Sequence, residues 1–256
     1  VRGENRVSAT TVPMGELRNA GENGQFAGQY PDVPFDFFPY AGIQRDVCLY
    51  TTPKAAYLES VRVTTAVGAD GVATVTIAGR VVGVSENLIV DVRCASRQTH
   101  RHYDAYDGGH GNVSVSGNFT ADIRIPDAEL WGVFQPNLYD AEILLYDGSG
   151  VVDAYEQRFG IRTIRVTGNR LLLNGRPVYL QGFGRHEDFP IIGRGLCHAA
   201  NVRDHELLRW VNANSYRTTH YPYSEELVRL ADEQGILLIA EAPAVSVNFD
   251  HLQDES

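Results

Sequence analysis

Residues 214–239 read Asn214-Ser215-Tyr216-Arg217-Thr218-Thr219-His220-Tyr221-Pro222-Tyr223-Ser224-Glu225-Glu226-Leu227-Val228-Arg229-Leu230-Ala231-Asp232-Glu233-Gln234-Gly235-Ile236-Leu237-Leu238-Ile239. Ser215-Tyr216-Arg217-Thr218-Thr219 is rich in residues that suit a strand. Leu227, Leu230 and Ala231 then fall at i, i+3 and i+4, on one face of a helix. Glu225 and Glu226 occupy its first turn, where the helix dipole favours anions. Gly235 is placed to end it, because glycine adopts the left-handed closing conformation freely. Ile236-Leu237-Leu238-Ile239 follows as a fully apolar strand. Strand, helix and apolar strand in that order are the grammar of a parallel α/β sheet.

Working outward, the α/β character begins near residue 164. Val178-Tyr179-Leu180 reads as the preceding strand, and residues 182–195 as a glycine-rich, charged loop. Leu207, Trp210 and Val211, at i, i+3 and i+4, predict an amphipathic helix. Residues 55–163 read as all-β. Val61-Val63-Thr65-Val67, Leu88-Val90-Val92-Cys94 and Phe119-Ala121-Ile123-Ile125 recur with period 2, as half-buried strands do. Asp70-Gly71 and Asp147-Gly148 supply tight turns. About seven short strands in this span point to an antiparallel sandwich of immunoglobulin-like size. Residues 1–54 are irregular, with Gly15, Gly21, Gly24 and Gly28 ahead of the aromatic block Phe35-Asp36-Phe37-Phe38-Pro39-Tyr40. Val47-Cys48-Leu49-Tyr50 reads as a short strand there, closed by Pro53.

The 256 residues are 43% hydrophobic and 21% charged, a globular balance that excludes disorder and collagen-like structure. Lys and Arg number 22 against 32 Asp and Glu, a net charge of −10 that argues against a nucleic-acid partner. No apolar run approaches the ~18 residues of a membrane span. Cys48, Cys94 and Cys197 are widely spaced with no C-x-x-C pair, which fits a reducing, cytoplasmic setting better than a disulfide framework. The chain begins at Val1 and its single methionine is Met14.

Parallel α/β architectures gather function at the carboxyl ends of their strands. That rule collects Arg185, His186, Glu187 and Asp188, then His220 and Tyr221, then Glu241. Two histidines and several carboxylates on one edge can bind a polyhydroxylated ligand or perform acid/base work; polar residues of ordinary exposed loops are the plainer alternative. His186, Asp188, His220 and Glu241 include metal-ligand types without any local ligand signature. His100-Arg101-His102 through His110 also invites a metal, although the intervening residues look like a solvated hairpin loop. No nucleophile elbow, phosphate loop or dinucleotide fingerprint follows a predicted strand.

At Asn214-Ser215-Tyr216-Arg217-Thr218-Thr219-His220-Tyr221-Pro222 the sequence closely resembles a signature of glycoside hydrolase family 2. The likeness continues through Leu227-Val228, Asp232 and Gly235 into Ile236-Leu237-Leu238-Ile239. Three further blocks agree in order. Asp36-Phe37-Phe38-Pro39-Tyr40-Ala41-Gly42-Ile43-Gln44-Arg45 resembles the end of the family's sugar-binding sandwich. Leu130-Trp131 with Pro136-Asn137-Leu138-Tyr139 resembles its middle sandwich. Phe159-Gly160-Ile161-Arg162, Leu173-Asn174-Gly175-Arg176-Pro177 and Gly182-Phe183-Gly184-Arg185-His186-Glu187-Asp188 resemble the entry to its barrel. Within the family, β-glucuronidases are the nearest likeness; β-galactosidases share the histidines but usually differ around them.

The resemblance implies a multidomain β plus α/β protein in three parts. Residues 1–54 would be the C-terminal part of a jelly-roll-type sugar-binding β-sandwich. Residues 55–163 would be an immunoglobulin-like β-sandwich, and residues 164–256 the first βα units of a TIM (β/α)8 barrel. The implied activity is retaining exo-hydrolysis of a small-molecule β-glycoside, a β-D-glucuronide, by two glutamates about 5–5.5 Å apart. It needs no cofactor and no metal. Family members are often oligomers, which leaves a homo-oligomer open. The family's acid/base glutamate directly follows an asparagine, and no Asn-Glu pair occurs in the chain. Both catalytic glutamates are therefore expected beyond Ser256, and this chain alone is expected to be inactive. By motif position Asp36, His186 and His220 would bind sugar hydroxyls, with Arg217 and Glu241 supporting the pocket or forming a buried ion pair. Ala240 departs from the aspartate the family commonly has before its strand-end glutamate. A β-galactosidase-like glycosidase and a non-catalytic carbohydrate-binding or assembly module are the competing expectations. For a module that ends near Ser256, the apolar third strand would be an open edge prone to association.

Overall fold

The computed structural model describes residues 43, 45–83, 87–104, 110–112, 117–189 and 191–242. The glycine-punctuated start and the aromatic block with Asp36 lie outside the described residues. The chain divides into two compact units, Leu49–Leu180 with Ala231–Ile236, and Val1–Cys48 with Gln181–Leu230 and Leu237–Ser256.

The first unit is built on two antiparallel sheets. One has the order β1-β2-β6, from β1 (Ala56–Val67), β2 (Ala73–Gly83) and β6 (Asn118–Ile125). The other has the order β4-β3-β7-β8, from β3 (Ile89–Ser96), β4 (His102–Asp104), β7 (Leu138–Asp147) and β8 (Gly150–Gly160), with β5 (His110–Asn112) also on β3. Successive side chains in a strand point to opposite faces, so the alternating sequence buries one row from each strand. Val90, Val92 and Cys94 are buried on β3, and Phe119, Ala121, Ile123 and Ile125 on β6, in one apolar core with Val75, Ile77, Ile143 and Leu145. Val61, Val63 and Val67 of β1 pack against it. The expected turns form. Gly71 has φ +81° beside Asp70, whose carboxylate accepts from Val72 N–H at 3.1 Å, and Asp147 accepts from Ser149 N–H at 2.8 Å. His102 and His110 begin β4 and β5, so part of the expected loop is strand paired with β3.

A small antiparallel meander follows, β9 (Ile164–Thr167), β10 (Arg170–Leu173) and β11 (Arg176–Pro177). It corrects the reading of Val178-Tyr179-Leu180 as a parallel strand. Asn174 and Gly175, at φ +52° and +75°, make a tight hairpin turn, and the returning chain keeps pairing until Val178 N–H reaches Leu171 O at 2.9 Å. Buried Trp131 donates from its indole to Asp232 O at 2.8 Å within the same unit. Gly235 packs there too, at φ +68°, with Phe134 N–H bonded to its carbonyl.

In the second unit β12 (Gly182–Arg185), β13 (Ser215–Thr218) and β14 (Leu237–Ile239) form a parallel sheet in that order. α1 (His198–Trp210) connects β12 to β13, and α2 (Glu225–Gln234) connects β13 to β14, the last residues of α2 belonging to the first unit. The residues expected to open a loop are therefore the first parallel strand. Glycine is required there: a Cβ at Gly182 would lie 1.7 Å from Ser215 O on the neighbouring strand.

α2 is as expected, with Leu227, Leu230 and Ala231 buried and Ser224 capping Leu227 N–H. α1 is rotated from its expected face. It buries Asn201, His205 and Leu208, while Trp210 is 82% exposed and Val211 lies beyond the last turn. The strands present Arg185 and the Tyr216 hydroxyl to this helix, and these draw polar Asn201 and His205 inward. Val47-Cys48-Leu49-Tyr50 forms no strand, because it has no ladder partner among the described residues and its side chains are exposed.

Gly182→Ala should lower the unfolding free energy by about 2–4 kcal/mol, from overpacking against a backbone that cannot retreat. Gly148→Ala, where no atom lies within 4 Å of the added methyl, should leave it nearly unchanged. Urea denaturation of the two variants measures the difference.

Candidate active site

The three parallel strands end on one side of their sheet and place His186, His220 and Glu241 there. The His186 and His220 rings meet edge to face with centroids 5.7 Å apart. His220 Nδ1 lies 3.1 Å from Glu241 Oε2, and Arg217 Nε lies 2.5 Å from Glu241 Oε1. Glu241 N–H also donates to Thr218 Oγ1 at 2.9 Å. One carboxylate thus binds the arginine of the strand beside it and the histidine at that strand's end. The Arg217–Glu241 pair is not buried, its side chains being 46% and 27% exposed. With alanine at 240, these contacts hold Glu241 in place.

The other strand-end residues divide by direction. Arg185 turns toward α1. Its guanidinium bonds Asp204 at 3.1 and 2.5 Å and Asn201 at 3.2 Å, among the rings of Phe189, Tyr216 and Tyr223. Glu187, 1% exposed, is a structural carboxylate. It accepts from Ser224 N–H at 3.1 Å, from Ser224 Oγ at 2.6 Å and from Arg45. Tyr221 accepts from Glu187 N–H at 3.1 Å and lies 3.4 Å from His186 Nδ1, with Arg194 stacked on its ring. The Tyr223 hydroxyl bonds Arg185 O and Thr219 O, the carbonyls just before the two histidines. Burial raises its pKa, so it remains a donor. Among the described residues no three His, Cys, Asp or Glu side chains are grouped to hold a metal.

Arg45, Arg194, Tyr223 and Ser224 had no assigned role in the sequence reading. Ser224 alone left a signal, as a capping residue directly before Glu225-Glu226. The others act through contacts distant in sequence.

Residues 56–162 match the pattern described as "Glycosyl hydrolases family 2", and residues 164–256 match "Glycosyl hydrolases family 2, TIM barrel domain". The chain belongs to glycosyl hydrolase family 2. Family membership makes the paired antiparallel sheets its immunoglobulin-like domain and β12–β14 the start of its barrel. A β-glucuronidase of Paenibacillus borealis is 36% identical over 98% of the chain and 41% of its own length. That of Mus musculus is 36% identical over 95% and 36%. Among solved structures, a Bifidobacterium dentium β-glucuronidase complexed with coumarin-3-O-glucuronide has a TM-score of 0.73 at 36% identity, over 82% of this chain and 34% of that one. A Ruminococcus gnavus β-glucuronidase in complex with D-glucuronic acid has a TM-score of 0.68 at 38% identity, over 84% and 35%. The chain thus spans roughly two fifths or less of the family-2 relatives it matches.

Two predictions follow from the layer beneath the histidines. Burial, with a lesser push from the Arg185 cation, lowers His205 from 6.5 to about 4. As the pH falls through that window the unfolded chain takes up a proton that the native state refuses. Stability is therefore full above pH 6.5 and declines toward pH 4, by on the order of 3 kcal/mol. Urea denaturation across this range should show the slope, and His205→Phe should remove that part of it. Glu187→Ala leaves the Ser224 N–H without its acceptor and Arg45 without its counter-charge, and should cost about 3 kcal/mol in the same measurement.

Proposed function

We propose that this chain is the sugar-recognising part of a retaining exo-glycosidase that hydrolyses β-D-glucuronides. The observation that carries the reading is the pairing of His186 and His220 at the carboxyl edge of a family-2 barrel start. Relatives that match along nearly the whole chain are β-glucuronidases, and one was solved with D-glucuronic acid. Asp36 and the two histidines bind sugar hydroxyls. An ionised carboxylate accepts from adjacent hydroxyls, and a neutral imidazole donates once and accepts once. Arg217 and Glu241 hold His220 in place.

The hydrolysis is a double displacement on two glutamates carried by the longer enzyme. One protonates the leaving oxygen while the other attacks the anomeric carbon, and water then releases the glycosyl-enzyme with the first acting as base. The substrate is a small-molecule β-glycoside in a reducing, cytoplasmic setting, where three free thiols persist. The 256-residue chain alone carries no turnover.

A nitrophenyl glycoside panel on the intact gene product tests the substrate, with glucuronide preferred. Preference for galactoside moves the reading to a β-galactosidase-like enzyme, and no hydrolysis of any member overturns it in favour of a binding module. Asp36→Ala and His220→Ala should each lower kcat/KM about 10–100-fold, as loss of a hydrogen bond to substrate does. Unchanged turnover would remove these two residues from the site.

A further inference from the structure

The β12–β13 ladder ends one residue before His186, where Arg185 pairs with Thr218. Thr219 N–H adds a last backbone bond to Arg185 O at 3.2 Å. Past that point Tyr223, in the loop before α2, ties the two segments side by side. Its hydroxyl donates to Arg185 O and, at 3.3 Å, to Thr219 O, so one phenolic proton is shared by two carbonyls. Each peptide group is planar from one Cα to the next. Anchoring Arg185 O therefore restrains the plane that ends at the His186 Cα, and anchoring Thr219 O the plane that ends at the His220 Cα. The Tyr223 ring is held independently of these bonds, with the Arg185 guanidinium 5.7 Å from its centroid and the Tyr221 ring at 5.3 Å.

We propose that Tyr223 is a positioning residue whose hydroxyl clamps these two carbonyls and so sets the edge-to-face spacing of the His186 and His220 rings, 5.7 Å between centroids. It acts through the backbone that carries them. Tyr223→Phe keeps the ring, its packing beside Tyr221 and its face toward the Arg185 cation, and removes only the clamp. The consequence for turnover rests on the reading that both histidines bind the sugar; the spacing of the rings does not.

The test compares the intact gene product with its Tyr223→Phe variant, histidine-labelled for NMR and free of glycoside. The nuclear Overhauser contact between the His186 and His220 rings should weaken several-fold in the variant. Its kcat/KM for the glucuronide should fall about 3–10-fold, the size of one hydrogen bond. In a His220→Ala background the same substitution should cost less than about twofold, because no spacing between two rings is left to set. A general loss of stability would lower both backgrounds alike. p-Aminophenylalanine at position 223, which returns a donor of similar reach, should restore both the ring contact and the turnover. That replacement keeps the test decisive if Tyr223→Phe fails to fold, since loss of the ring contact in it overturns the proposal. An unchanged ring contact in Tyr223→Phe also overturns it, as does an equal loss of kcat/KM in the His220→Ala background. A gene product that hydrolyses no glycoside, yet loses the ring contact in Tyr223→Phe, overturns the functional reading and leaves the clamp standing.

Discussion

A buried carboxylate organises the strand ends of this protein. Glu187 sits one residue beyond His186 and is shielded almost completely from solvent. A charge at that depth is tolerated only when its oxygens are satisfied by donors of good geometry. Ser224 supplies its backbone N–H and its hydroxyl, and Arg45 supplies the counter-charge. Ser224 also caps α2, so the same carboxylate ties the start of that helix to the end of β12. The Glu187 N–H then fixes the Tyr221 hydroxyl, which reaches back to His186. The histidines keep their mutual geometry because the loops carrying them are joined beneath them.

Much of this architecture was legible in the sequence, and where it failed the cause is physical. The sandwich strands were readable because period-2 alternation against a single apolar core leaves little freedom of register. α2 was readable because its apolar positions, acidic first turn and closing glycine agree. β12 was not, since Gly182 and Gly184 lack the side chains by which a strand announces itself. At Gly182 that absence is a requirement of the neighbouring backbone, and at Gly184 a Cβ would crowd the Thr219 hydroxyl. α1 misled because hydrophobic periodicity assumes an apolar buried face. Here the buried face is Asn201 and His205, drawn in by Arg185 and Tyr216.

The site shows the same division. His186, His220 and Glu241 could be found from their place at strand ends alone, and the structure brings them together. Glu187 looked equally suited to acid/base work, but its donors lie 37 and 142 positions away in the chain. No local pattern separates it from a pocket acid. Arg185 is misleading for a related reason. It is the last residue of its strand, and its side chain faces the helix layer.

Strand parity explains that last point and the layout as a whole. In register, Phe183 pairs with Tyr216 and Arg185 with Thr218, while Gly184 pairs with Arg217 and Arg217 with Ile239. Paired residues share a face of the sheet. Tyr216 and Arg185 both bond α1 residues, so their row is the helix-facing one. Arg217 therefore lies on the opposite face, and Glu241, two residues beyond Ile239, meets it there. On β12 that face carries only Gly182 and Gly184, and a Cβ on Gly184 would come within 3.1 Å of Thr219 Oγ1. Arg217 instead extends across the β14 side of β13, to the carboxylate that orients His220.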